Sequence, residues 1–296
     1  MAAVLAPLPG TVAPPPLPAG PWHRAWRKLR RRRSAMFGLA VVVGFIVLAV
    51  FAGWIAPQDP IATSWGAIRK PPGAEHWFGT DEIGRDVFSR VIWGTRASML
   101  AGVVSVSISL LLGVPIGLAA GFLGGWIDAA ISRVIDAFLA CPFLILAIAL
   151  AAFLGPSLTN AMIAIGISAT PIFARLTRGA VIHVKVEDYI EAARALGASP
   201  LRQALRHVLP NIAAPLIVQA TLAIAAAVIA EASLSFLGLG QQPPAPSWGS
   251  MLNTAKNYVD NAPWMAIWPG VSIFLLVLAF NLLGDGLRDA LDPRQL

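Results

Sequence analysis

Residues 188–211 read DYIEAARALGASPLRQALRHVLPN, a stretch whose helix signals can be followed residue by residue. Asp188 with Glu191 three positions later matches a capping box, which predicts the start of a helix. Gly197 suits the position that ends such a helix, and Ser199-Pro200 suits the cap and first turn of another. The stretch is therefore predicted to form two short helices separated by a glycine turn.

Long uncharged runs lie on both sides of this stretch, at residues 137–174 and 208–230. About 20 apolar residues cross a bilayer as a helix. Residues 208–230 therefore fit one transmembrane helix, whereas residues 137–174 are long enough for two. Gly155-Pro156-Ser157 predicts the break between those two helices, because glycine and proline interrupt helical patterns.

The composition of the whole chain indicates a membrane protein. Hydrophobic residues make up 57% of its 296 residues and charged residues only 12%, whereas soluble domains average about 25% charged residues. This composition excludes an ordinary soluble enzyme. Three further uncharged runs, at 35–56, 97–127 and 264–284, bring the predicted number of transmembrane helices to six.

The distribution of basic residues predicts how the chain is oriented. With six spans, 16 of the 22 Lys and Arg residues fall on one side of the membrane and six on the other. Basic residues concentrate on the cytoplasmic side of membrane proteins. Both termini and the 188–211 stretch are therefore predicted to be cytoplasmic. The same rule accounts for the net charge of +7 without nucleic acid as a partner.

The chain is thereby divided into five predicted parts: a disordered proline-rich tail with a basic cytoplasmic segment (1–33), a first transmembrane helix (34–57), a periplasmic segment (58–96), a core of five transmembrane helices with a cytoplasmic loop at 183–210 (97–290), and a cytoplasmic tail (291–296).

The sequence lacks the motifs that catalysis or metal binding would need. None of the four lysines follows a glycine, so no phosphate-binding loop of the Gly-Lys-Ser/Thr type is present. The four histidines are scattered, and Cys141 is the single cysteine. We therefore expect no enzyme activity, no catalytic residue, no metal site and no cofactor bound by this chain.

Glu231 is the only acidic residue within a predicted span. Counted from Pro210 at 1.5 Å per residue, it lies about 31 Å further along a helix, near the outer surface of the bilayer. Two interpretations are open. Glu231 is either a hydrogen-bonded or hydrated interfacial residue, or it lines the external mouth of a transport pathway.

Part of the 188–211 stretch resembles a known signature. EAARALG at 191–197, followed by HVLPN at 207–211, resembles the EAA signature of permease subunits of ATP-binding-cassette (ABC) importers. In that family the segment is a coupling helix that docks into a cleft of the ATPase subunit. His207 stands where the family usually has isoleucine. Without the resemblance, the stretch would be equally well described as a loop lying on lipid headgroups. The resemblance implies that the residues coupling to an ATPase are Glu191, Ala192, Ala193 and Gly197.

Three further segments narrow the resemblance to one group of these permeases. They are FGTDEIGRDVFSR at 78–90, EASLSFLG with PPAPSWG at 231–249, and NLLGDGLRDALDP at 281–293. In this order they resemble the C-type permease of dipeptide/oligopeptide importers, from about residue 30 to the C-terminus. The resemblance implies that an external face contacts a binding protein through Gly79, Asp81, Gly84, Arg85, Asp86 and Trp248.

The resemblance also implies an architecture and a set of partners. We expect the type I ABC importer permease fold with a cytoplasmic coupling helix, in the bacterial inner membrane. The implied partners are a B-type permease, two ATP-binding subunits that hold the ATP, an extracytoplasmic peptide-binding protein and the lipid bilayer. The expected function is import of dipeptides or oligopeptides. Two alternatives stay open: a nickel or nickel-chelate permease of the same family, and a membrane assembly subunit without its own pathway.

Overall fold

The structure, a computed structural model, describes residues 21–291. The predicted disordered tail at 1–20 and residues 292–296 lie outside this range. Among the described residues the chain is helical, and the one β-type pairing there is an isolated bridge between Thr80 and Asp86. The all-α fold class is thereby confirmed.

The described range contains thirteen α-helices: α1 (Pro21–Arg31), α2 (Arg33–Val50), α3 (Ala52–Ile55), α4 (Val87–Leu123), α5 (Gly125–Ala140), α6 (Phe143–Leu154), α7 (Leu158–Val184), α8 (Asp188–Ala195), α9 (Pro200–Arg202), α10 (Leu209–Asn211), α11 (Ala213–Phe236), α12 (Trp248–Ala255) and α13 (Trp264–Leu291). A 3₁₀ turn (Trp65–Ala67) and a π-helix (Gln203–Val208) complete the described elements.

Several of these helices are suited to crossing a membrane. By length and composition, α2, α4, α11 and α13 each qualify, and α5 with α6 forms a bent pair that makes a fifth. The remaining predicted span corresponds to α7, whose 27 residues measure about 40 Å. Arg175 and Arg178 near the end of α7 make it less apolar than the others. The chain is a multi-pass membrane protein.

The prediction of one helix between residue 137 and the break at Gly155 is wrong. α5 continues to Ala140, the chain turns by 90° at Cys141-Pro142, and α6 has only 12 residues. A 12-residue helix is about 18 Å long, against about 30 Å of hydrocarbon. The predicted break after α6 is confirmed, because Gly155 has a φ of 90° and the Ser157 side chain caps α7.

α4 is longer than predicted and begins inside the segment expected to be periplasmic. The Asp86 side chain accepts a hydrogen bond from the N–H of Ser89 at 2.8 Å, which caps the helix at its first turn. From Val87 the 37 residues of α4 extend about 55 Å. One end of α4 therefore reaches beyond the hydrocarbon thickness of a bilayer.

Glycines bring α4 and α7 into close contact. Gly113, Gly117 and Gly121 recur every four residues and so lie on one face of α4. A Cβ atom at any of these positions would lie within 3.0 Å of atoms of α7, which only glycine avoids. Beside this stripe, the Ser109 hydroxyl donates to the carbonyl oxygen of Gly166 on α7 at 2.8 Å. The two helices thus pack backbone to backbone.

Two hydrophobic cores hold the remaining helices. One is centred on Trp248 of α12 and joins α2, α4, α11 and α13. The other is centred on Phe173 of α7 and joins α4, α6 and α11. The second core also includes Ile190 of α8, so it extends from the long helices to the 188–211 stretch.

Candidate functional site

We name residues 188–211 the coupling segment, after its predicted role. A glycine turn ends the first helix of this segment. Gly197 has a φ of 82°, in the left-handed region. Its N–H donates to the carbonyl oxygen of Arg194 at 3.0 Å, and the N–H of Ala198 donates to that of Ala193 at 3.0 Å. These two bonds form a Schellman motif. The predicted end of the helix at Gly197 is confirmed.

The other predicted caps of the coupling segment have different outcomes. α8 begins after Glu187, and no side chain caps it, so the prediction of a capping box at Asp188 is wrong. Ser199 accepts a hydrogen bond from the N–H of Arg202 at 3.4 Å with Pro200 in the first turn, as predicted. The helix that follows widens into the π-helix Gln203–Val208.

The coupling segment is fixed on one side and open on the other. Ile190 is 4% exposed and packs with Val208 in the second core. Glu191, Ala192 and Ala195 are exposed, and Leu196 is 89% exposed. Because Ile190 fixes one side of α8 to the core, the exposed, alanine-rich side can contact another protein.

An apolar groove lies beside the second half of the coupling segment. It has a volume of about 460 Å³ and lies between the end of α4 and the helical turns after Ser199. Leu201 and Leu205 line it and are themselves largely exposed. Exposed leucines beside a groove are typical of a surface that another protein or the membrane covers.

Polar contacts fasten the start of the coupling segment to neighbouring helices. On α7, Arg178 forms two hydrogen bonds to the carboxylate of Asp128 on α5, one of them at 2.7 Å. One residue after α7, the Lys185 ammonium donates to the carbonyl oxygen of Gly121 on α4 at 2.7 Å. A displacement of α8 would therefore pull on α4 and α5 through α7.

An insert, residues 56–86, folds over the start of α4 around a buried charge cluster; we name it the external insert after its predicted side of the membrane. The Arg85 guanidinium donates to Asp81 at 2.6 Å and to Glu82 at 2.7 Å. Arg90 of α4 lies 3.5 Å from the same Asp81 carboxylate and donates to the carbonyl oxygen of Pro60 at 2.9 Å. Burial, with the neighbouring Asp81 charge, raises the pKa of Glu82.

Two glycines of the insert have conformations that other residues rarely adopt. Gly79 has a φ of 76° and Gly84 a φ of 81°. A Cβ atom at Gly79 would collide with the Trp264 indole, and one at Gly84 would collide with the carbonyl of Ser64. Both glycines are therefore required by the fold of the insert.

Trp248 is enclosed rather than surface-exposed. Its ring is fully buried, its Nε1 donates to the carbonyl oxygen of Val91 at 3.0 Å, and Phe45 packs against it edge-on at 5.6 Å. Gly249 beside it packs tightly on the backbone of Ala232. α12 is thus inserted between α2, α4 and α11.

Glu231 of α11 lies at the centre of a buried polar cluster next to α12. Its carboxylate is 0% exposed and accepts hydrogen bonds from Ser98 at 2.9 Å and Ser235 at 2.7 Å. The N–H of Gln241 in turn donates to the Ser235 hydroxyl at 3.1 Å. The side chain is buried and hydrogen-bonded within this chain, as one of the two interpretations expected.

The structure brings the predicted residues into two separate groups. The four residues predicted to couple to an ATPase share one turn-and-helix unit with an exposed face. The six residues predicted for an external face are instead buried within this chain, and the contact with a binding protein stays a prediction. The buried residues are Gly79, Asp81, Gly84, Arg85, Asp86 and Trp248.

Sequence reasoning missed the residues that connect these groups. The stripe Gly113, Gly117, Gly121 carries a detectable signal, since glycine every fourth residue in an apolar run marks helix packing in membranes. The pair Arg178–Asp128 carries none, because the two residues are 50 positions apart. Among the described residues, no group of three or more His, Cys, Asp or Glu side chains could hold a metal ion.

The sequence matches two known protein-family models. Residues 113–296 match the family described as binding-protein-dependent transport system inner membrane component. The chain belongs to this permease family. Residues 20–72 of the permease also match the N-terminal transmembrane domain of oligopeptide transport permease C. The first match includes the coupling segment, and the second includes α1 and α2.

Full-length relatives agree with this assignment. The permease is 46% identical over 286 residues to the dipeptide transport system permease protein DppC of Alkalihalophilus pseudofirmus, covering 95% of this chain and 94% of the relative. It is 48% identical over 275 residues to the glutathione transport system permease protein GsiD of an Escherichia coli strain, covering 93% and 91%. The similarity to both therefore spans nearly the whole chain.

A solved structure shows the same fold. The permease resembles a chain of the MetNI methionine ABC transporter in an inward-facing conformation, with a TM-score of 0.58 and 22% identity. The match covers 69% of the permease and 97% of that chain. This confirms the type I ABC importer permease fold.

Proposed function

We propose that this permease forms part of the membrane pathway of an ABC importer for short peptides. The observation that carries the proposal is the coupling segment, which presents exposed Glu191, Ala192 and Leu196 on a rigid, glycine-terminated helix. Relatives that import dipeptides and glutathione share 46–48% of the sequence, which supports peptides as the cargo.

In this proposal the coupling segment docks on an ATP-binding subunit. Closure of two such subunits on ATP pushes α8. The push passes through α7 to α4, whose glycine stripe packs directly on it, and to α5 through Arg178 and Asp128. These helices then rock between inward-open and outward-open arrangements. ATP stays on the partner subunits, and this chain takes no part in its hydrolysis.

The remaining partners follow from the same assignment. A B-type permease pairs with this chain to complete the pathway, and an extracytoplasmic binding protein delivers the peptide. The termini and the coupling segment lie in the cytoplasm of a bacterial cell, as the excess of basic residues on that side favours. Because the motif residues of the external insert are buried, its exposed tryptophans Trp65 and Trp77, with Trp54 of the preceding α3, are better placed to meet the bilayer surface or the binding protein.

The coupling role is tested at Gly197. Gly197→Val places a β-branched side chain at a φ of 82°, which strains the turn although no neighbouring atom blocks it. We expect normal membrane insertion but loss of uptake and of substrate-stimulated ATPase activity in the assembled complex. Gly197→Asn is the matched control, since asparagine tolerates the left-handed region, and it should keep most activity. Full activity of the valine variant would refute the coupling role.

The cargo is tested by uptake. Nickel as an alternative cargo would favour imidazole or thiolate ligands along the pathway. In this chain, Cys141 lies at the α5–α6 corner and His76 pairs with Asp86 in the external insert. Labelled dipeptides, tripeptides and nickel are compared in cells with and without the gene. Loss of peptide uptake alone supports the proposal, whereas loss of nickel uptake with peptide uptake intact would overturn it.

A further inference from the structure

α1 is a separate helix that lies against the end of the last transmembrane helix. Arg32 has extended backbone angles and interrupts the helix, so α1 and α2 are distinct elements. Leu29 is buried and packs with Ala25 against Leu287 and Ala290 of α13. Arg32 forms an ion pair with Asp289 of α13. α1 is thereby fixed beside the end of α13 and at the start of the first span.

The opposite side of α1 carries a basic face, which we define as Arg27, Arg30 and Arg31. At 100° per residue, these three side chains cluster on the side of the helix facing away from Ala25 and Leu29. All three are exposed, and none has an ion pair or hydrogen bond to another residue of the part of the chain that is described. Their charge is therefore available to an external partner.

The position of the basic face indicates which partner fits it. α2 begins at Arg33, immediately after α1, so the basic face lies where the first span enters the membrane. Trp26, 48% exposed, lies between the packed side and the basic face, as an interfacial indole would. A helix with an apolar side, a flanking tryptophan and a basic face at a span end matches a helix held in the headgroup region.

We propose that the basic face of α1 binds anionic phospholipid headgroups of the inner leaflet. Phosphate diesters are permanent anions, and guanidinium groups bind them through charge-assisted hydrogen bonds. Each basic residue near an anionic membrane surface contributes ~1 kcal/mol, which corresponds to a roughly fivefold change in affinity. Three such residues together account for a roughly 100-fold preference for anionic over neutral lipid. Because α1 packs on α13, the bound lipid also holds the end of α13 at the membrane surface.

The experiment measures lipid binding to the assembled transporter in detergent. Phosphatidylglycerol and phosphatidylcholine are titrated separately, and bound lipid is counted by native mass spectrometry. The wild type should bind phosphatidylglycerol more tightly, and raising the salt concentration should weaken this preference by screening. The triple variant R27Q/R30Q/R31Q should lose it by roughly 100-fold. The triple variant R27K/R30K/R31K, which keeps the charge, should retain most of it.

A matched control removes three charges from the other end of the molecule, by the substitutions Arg69→Gln, Lys70→Gln and Lys256→Gln. This control should keep the preference of the wild type. Equal binding of the two lipids by the wild type, or an unchanged preference in the R27Q/R30Q/R31Q variant, would overturn the proposal. Loss of the ATP-binding subunits from that variant with lipid preference intact would assign the basic face to a protein contact and would also overturn it.

Discussion

Gly117→Ala should destabilise the permease although it adds a single methyl group. The new Cβ atom would lie 2.7 Å from the Cβ of Thr177 and closer still to the carbonyl oxygen of Ala174, both on α7. The ordinary contact distance begins at 3.4 Å, so α4 and α7 would have to separate by at least about 0.7 Å. Backbone atoms cannot rotate away as side chains can.

The magnitude follows from the packing that is lost. A gap of 0.5–1 Å forfeits about a quarter to a half of the dispersion energy of each contact across it. Overpacking of this kind typically costs about 1–3 kcal/mol. Because α7 continues into the coupling segment, the separation should also reduce substrate-stimulated ATPase activity in the assembled complex.

Thermal unfolding of the purified complex provides the measurement, with Gly179→Ala as the matched control. Gly179 lies in the C-terminal third of the same α7, and a Cβ atom there meets no neighbouring atom within 4 Å. Alanine at this position should therefore be neutral or stabilise the helix by about 0.5–1 kcal/mol. Equal unfolding temperatures for the two variants would refute the conclusion that the glycine stripe sets the distance between α4 and α7.

Three further predictions follow from the remaining contacts. Glu231→Ala leaves the hydroxyls of Ser98 and Ser235 buried without their acceptor, so it should lower the unfolding free energy by about 1–3 kcal/mol. Glu231→Gln should lower it less. Wild-type stability of the alanine variant would contradict this. Asp128→Arg should lower substrate-stimulated ATPase activity, and adding Arg178→Asp should restore it; a double variant no better than the single one would show that the pair does not couple α5 to α7. Topology is tested by single cysteines in a Cys141→Ser background. Cysteines after Gly73 and after Lys256 should react with impermeant thiol reagents from outside, whereas cysteines at Gly197 and at the C-terminus should not. An internal position for Gly73 would contradict the six-span topology.

The parts of the structure that sequence predicted well are those decided by local chemistry. The turn at Gly197 and the cap at Ser199 each depend on hydrogen bonds to residues a few positions away, so their signals are contained in the sequence itself. The break at Gly155 has the same local origin. The coupling segment was therefore predictable almost to the residue, although α8 begins without the expected cap.

The parts that sequence did not predict depend on distant neighbours. Charge in the 78–90 motif was equated with exposure, yet Asp81 and Glu82 pair with Arg85 and Arg90 where the insert meets α4. Trp248 was placed on an external face, but a pocket between three helices receives it. In the uncharged run at 137–174, Pro142 is a local signal for the end of a helix that was not used, and it carries no information on the 90° change of direction at Cys141. Only the residues packed around each of these sites determine its environment.

The corner between α5 and α6 has a practical consequence for following the transport cycle. Cys141 is the single thiol of the chain, it is partly exposed, and it lies at the vertex where the two helices meet at 90°. A maleimide fluorophore or nitroxide attached there would report on this vertex without any engineered mutation. Because α5 is fastened to α7 at Asp128, the vertex should move when nucleotide is added to the assembled complex. The native sequence thus already contains a reporter position for time-resolved spectroscopy.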